Sequence, residues 1–110
     1  MEHDTKKYEV IIDSAANDKM YEHFEFLARV KVCAATKVLN KLIADIHSLT
    51  STPFINPAYN RPYLSIGKYR YKISSKRYHI IYQVFETFVF VDDIHDSRQD
   101  DDKSLLFVLK

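Results

Sequence analysis

The 110-residue chain is 46% hydrophobic and carries a formal charge of only +1, enough apolar material for one compact core spanning residues 1–110 and too little net charge for an indiscriminate polyanion binder. Its single cysteine, Cys33, excludes an intramolecular disulfide. No apolar run nears the ~20 residues of a membrane helix, and the start MEHDTKKYEV has no secretory pattern, so a cytoplasmic protein that does not engage membranes is expected.

Tyr8 to Ile12 (YEVII) is short and β-branched, which reads as a buried first strand, and Asp13-Ser14 follows it as a helix cap. Ala16, Met20, Phe24, Leu27 and Ala28 then recur at spacings of three and four, the mark of one helical face, with Asp18, Glu22 and Glu25 outward. A second helix over Cys33 to Leu49 repeats the period through Ala35, Val38, Leu42, Ile46 and Leu49. The link Arg29 to Val32 is so short that the helices must form an antiparallel hairpin. Cys33, among alanines, reads as packing rather than as a nucleophile, and His3, His23 and His47 have no metal-ligand spacing.

Residues 50–65 hold all three prolines and read as a long connection, in which Phe54, Tyr59 and Tyr63 are either core plugs or contacts for a partner. Beyond it the period changes to two. Lys68 to Ile73, Tyr78 to Phe85 and Phe88 to Ile94 are expected as three consecutive strands, joined by Ser74–Arg77 and Glu86-Thr87. With one glycine in the chain, the hairpins need turn chemistry other than the usual glycine pairs. The order β-α-α-β-β-β is that of an α+β domain whose helical hairpin packs on a mainly antiparallel sheet. Lys103 to Lys110 reads as either a further strand or a short helix.

Charge is segregated along this half of the chain. From Arg61 to His79 there are six Lys or Arg and no acid, whereas Asp92 to Asp102 holds six Asp and one Arg. Alternation puts Arg70 and Lys72 on one strand face, opposite Tyr69, Tyr71 and Ile73, and an antiparallel neighbour would bring His79 near the same edge. Cations and a histidine gathered on one strand edge would be placed to meet an anion. Exposed cations also serve simply to protect a sheet edge, and Arg98 is placed to pair with Asp92, Asp93 or Asp96.

Taken together, YEVII, the stretch EHFEFLARVKVCAATKVLNKLIADIHSL, KYRYKISSKRYHIIYQV and FVFVDDIHDSRQD resemble the RelE/ParE-type toxins of bacterial type II toxin–antitoxin modules, the plasmid stabilisation family. The resemblance covers nearly the whole chain. It implies a growth-inhibiting toxin neutralised by a cognate antitoxin, with operator DNA met only through the antitoxin complex and with neither cofactor nor metal. It implies one of two targets. An mRNA interferase would act on messenger RNA at the ribosome, with Arg70, Lys72, His79 and Arg98 as the catalytic set. A non-enzymatic inhibitor would bind DNA gyrase, and a non-toxic relic of the fold would retain only antitoxin binding. His79 stands where such nucleases carry an arginine, and their C-terminal tyrosine has no counterpart here, since Asp101 and Asp102 follow Asp100. Tyr82, inside a strand, reads as core. The run Asp100–Asp102 reads as a solvated turn or as a seat for basic antitoxin residues.

Overall fold

The computed structural model describes residues 7–99 and Leu106. Its elements are β1 (Glu9–Ile12), α1 (Ser14–Ala28), α2 (Val32–Ser48), β2 (Arg70–Ser74), β3 (Tyr78–Val84) and β4 (Phe88–Asp96). The α+β order and the helical hairpin are as the sequence indicates. Asp13 caps α1 by accepting a hydrogen bond from the Ala15 N–H at 3.1 Å, which satisfies one of the donors that every helix start leaves open.

The four strands form one sheet in the order β1-β4-β3-β2. β1 runs parallel to β4, and the other pairs are antiparallel. This puts β1 at an edge, and it is half exposed rather than buried, with Glu9 and Ile11 open to solvent. Both helices cover one sheet face. There Ala16 and Met20 of α1, with Leu42, Ile46 and Leu49 beside them, pack on Tyr78, Ile80, Tyr82, Val89, Val91 and Ile94. The other face carries a smaller cluster of Tyr59, Tyr69, Ile81 and Leu106, flanked by Tyr63, Leu64 and Tyr71. Tyr59, Tyr63 and Leu64 thus bring the later part of the proline-containing loop over the second face, where Tyr59 is a core plug, whereas Phe54 is exposed. Apart from Leu106, which is helical and buried, residues 100–110, including the acidic run, lie outside the described residues.

Two single-residue irregularities decide which side chains share a face. Between the paired Ser74 and Tyr78 stand three residues, and two of them, Ser75 (φ 54°) and Lys76 (φ 59°), adopt the left-handed region that glycine would occupy more cheaply. The turn closes with the Arg77 N–H donating to the Ser74 carbonyl at 3.2 Å. On β4 the register passes from Tyr82↔Val91 to Ile81↔Asp93, leaving Asp92 as an extra residue, a β-bulge. Cys33 is exposed at the start of α2, so it is not a packing residue. None of the described helices is long and apolar enough to cross a membrane.

Candidate functional site

The three-residue turn separates the cations of β2 from the histidine of β3. Arg70 lies opposite Tyr82, Lys72 opposite Ile80 and Ser74 opposite Tyr78, all partners in the helix-side core, so Arg70 and Lys72 sit on the helix side. His79 lies opposite Ile73 and His95, on the other face, where its ring is 5.0 Å from Tyr71 and 6.2 Å from Tyr59. A turn one residue shorter would have set His79 against Lys72, because a one-residue slip exchanges the faces of a strand. The expected gathering of Arg70, Lys72 and His79 does not occur.

Each cation has its own local partner. Arg70 Nη1 donates to the carbonyls of Asn56 at 2.7 Å and Phe54 at 3.3 Å, with its guanidinium 5.2 Å from the Phe54 ring centre. It ties the loop to β2, helped by the Tyr82 hydroxyl, which donates to the Pro53 carbonyl at 2.7 Å and accepts from Asn56 Nδ2 at 3.0 Å. Lys72 Nζ is 4.0 Å from Asp45 Oδ1, an oxygen already held by Lys41 at 2.9 Å. Arg98 is in a third place, at the end of β4, with Nε 3.9 Å from Asp96 Oδ1; of its three expected acidic partners, Asp96 is the one observed.

Arg98 does line a cleft of about 830 Å³, enclosed by Ala15, Asp18, Lys19, Glu22, His23 and Phe26 of α1 and by Arg77, Asp96, Arg98 and Gln99. The β4 bulge lies behind it, where Lys19, one of the lining residues, turns inward. Ile94 packs in the helix-side core while Asp93, the residue before it, reaches Lys19 on α1 with Nζ to Oδ1 at 2.8 Å. Two successive residues thus serve the same side, which alternation alone forbids. Lys19 and Asp93 are 14% and 0% exposed, a buried ion pair between α1 and the sheet.

His23, four residues after Lys19, donates from Nε2 to the Ile94 carbonyl at 3.0 Å and stacks obliquely on Tyr78 at 4.8 Å. That bond makes Nε2 the protonated nitrogen of the neutral ring and leaves Nδ1 as its acceptor. Burial lowers the His23 pKa below 6.5, aided by the Lys19 and Arg77 charges, against the Ile94 bond and the Asp96 charge. Arg77 donates from both Nε (3.1 Å) and Nη2 (2.7 Å) to Asp96 Oδ2, and the Arg98 backbone N–H donates to Oδ1 at 3.0 Å. Burial by itself would raise the Asp96 pKa, but the Arg77 bond, the Arg98 N–H and both guanidinium charges outweigh it and hold the carboxylate below its usual range. The result is a cleft lined by the Arg77–Asp96 ion pair and by His23, with Asp18, Glu22, Phe26 and Arg98 exposed around it.

A chain from the chromosomal ParDE toxin–antitoxin system of P. aeruginosa is similar in structure, with a TM-score of 0.66 at 10% identity over 82% of this chain and 96% of that one. The likeness is one of fold. No family model and no curated protein matches the chain.

Sequence reasoning reached Arg98 but not Lys19, His23 or Arg77. The i, i+4 spacing of Lys19 and His23 was a signal that both lie along one helix flank. What they would meet depended on the bulge, which alternation cannot reveal. Arg77 belongs to the turn, and it is the turn that delivers it to Asp96.

Proposed function

We propose that the chain is the toxin component of a ParDE-like type II module, neutralised by a cognate antitoxin, and that it acts by binding a protein target, with DNA gyrase as the target that the resemblance offers. The likeness of fold to the P. aeruginosa ParDE chain carries the toxin reading, together with the sequence resemblance along the same elements. The binding mode is supported by the scatter of the four cationic and imidazole groups. Arg70 anchors a loop, Lys72 shares Asp45, His79 occupies the opposite sheet face and Arg98 the α1–β4 cleft. RNA cleavage needs such groups within hydrogen-bond reach of one phosphate. An antitoxin segment is accommodated by the apolar groove of about 320 Å³ between the hairpin tip and the β2–β3 turn, lined by Leu27, Val30, Ala34, Val38 and Tyr78.

Induced expression without the antitoxin tests both parts. Growth arrest is expected, with intact messages in primer extension and with loss of supercoiling by purified gyrase. Cuts in translated messages would replace the binding mode by the nuclease one. Unimpaired growth at high expression would overturn the toxin reading itself. The variant pair Arg70→Ala with His79→Ala separates the modes again: toxicity should persist in the folded double variant, whereas a nuclease using these groups would lose it.

A further inference from the structure

The outer surface of the helical hairpin is polarised. Along α1 the exposed residues Asp18, Glu22 and Glu25 form an acidic rim, and along α2 the exposed Lys37 and Lys41 form a basic one. The side chains of Asp18, Glu22 and Lys37 have no hydrogen-bond or ion-pair partner among the described residues, and Lys41 holds Asp45 of its own helix at 2.9 Å. Between the rims lie Tyr21 and Ile43, two apolar side chains each 44% exposed. The net charge of +1 leaves little general repulsion between copies.

We infer that this face binds a second copy of the chain, hairpin against hairpin about a two-fold axis parallel to the helices. That operation lays α1 of one copy over α2 of the other and preserves the level along the hairpin. The levels follow from the short link. Asp18 lies ten residues before Ala28, the end of α1, and Lys41 nine after Val32, the start of α2. Glu22 lies six before the one and Lys37 five after the other. Asp18 of one copy therefore meets Lys41 of its partner, and Glu22 meets Lys37, each contact occurring twice.

Size agrees with this. A 17-residue helix is about 25 Å long, and two helices side by side offer about 20 Å of width. Full overlap of the two hairpins covers at most about 500 Å² on each copy, or about 1,000 Å² in total, the lower bound for a specific interface. Burial of the Tyr21 and Ile43 side chains supplies the attraction, and the charge pairs set register and orientation more than affinity. The inference does not depend on the toxin reading.

Light scattering coupled to size exclusion, run on the full chain over a micromolar concentration series, reads the assembly. Wild type is expected at twice the 13.0 kDa chain mass at low salt. Glu22→Lys alone and Lys37→Glu alone should each raise the dissociation constant at least tenfold, since either substitution sets like charges face to face. An equimolar mixture of the two variants should dimerise again, as should the chain carrying both changes. Should a reversal unfold the chain by circular dichroism, Glu22→Gln and Lys37→Gln carry the same test with a several-fold weakening. A wild type that stays monomeric, reversals without effect, or a mixture that remains monomeric would each overturn the inference.

Discussion

Replacing Lys19 by Met is expected to cost the fold about 3–5 kcal/mol, while replacing Lys19 by Met and Asp93 by Leu together costs much less. The pair stands at 2.8 Å with Asp93 fully buried. At an effective dielectric constant of about 20 the direct attraction is about 6 kcal/mol, but each ion lost several kcal/mol of hydration on entering the layer, so the net worth of the intact pair is small. Removal of Lys19 forfeits this attraction while Asp93 stays buried with its desolvation cost. For a domain whose total stability is about 5–15 kcal/mol, the single change should lower Tm by roughly 12–20 °C, taking roughly 4 °C per kcal/mol. Urea unfolding followed by circular dichroism, with both single variants and the double, closes the cycle. A Lys19→Met variant within about 1 kcal/mol of wild type would show that water reaches Asp93. A double variant as unstable as the single would show that shape, not stranded charge, sets the cost.

Two further outcomes follow from particular residues. Ser75 and Lys76 hold left-handed backbone without glycine, so Lys76→Gly and Ser75→Gly should each stabilise the chain by about 1 kcal/mol in the same urea assay; an equal loss would mean that the added unfolded-state entropy outweighs the strain. Asp92, half buried beside Gln83, has its pKa pushed up to about 6, mainly by burial and against the Gln83 bond. The folded chain then holds a proton that the unfolded chain releases near pH 4, so the contribution of this group is complete below that and is lost as pH rises through about 6. Asp92→Asn should flatten the fall in stability over that range and raise stability at pH 7 by about 1–2 kcal/mol after allowance for partial exposure, and an unchanged pH profile would contradict the burial argument.

The fold was legible from periodicity because its elements obey it. Ala35, Leu42, Ile46 and Leu49 sit at helical spacing and are all buried, and the change from period 3.6 to period 2 after the proline loop marks the sheet. Strand ends moved by one to two residues, as when β4 continues through Asp96 to carry the carboxylate that Arg77 holds. The burial of β1 was not legible from YEVII. An apolar run that short suits an edge strand as well as a central one, and the pairing partner, β4, lies far away in sequence. The roles of Arg70 and Tyr82 were hidden for the same reason, since each is satisfied by carbonyls of the loop at Pro53, Phe54 and Asn56.

The candidate site was less legible than the fold because two one-residue events control it, and neither has a pattern of its own. The third residue in the Ser75–Arg77 turn moves His79 away from Lys72, and the extra residue at Asp92 lets Asp93 and Ile94 serve the same side. Alternation assigns faces only within a strand, so it is sound for Arg70 against Tyr71 and uninformative for Arg70 against His79. Relative faces of neighbouring strands depend on turn length, and a change of one residue exchanges all of them at once. Both irregularities act toward the same end of the molecule. The turn that withdraws His79 also brings Arg77 to Asp96, and the bulge that interrupts β4 brings Asp93 to Lys19. The cationic strands thus lose a cluster on the sheet, and the α1–β4 cleft gains an ion-paired lining.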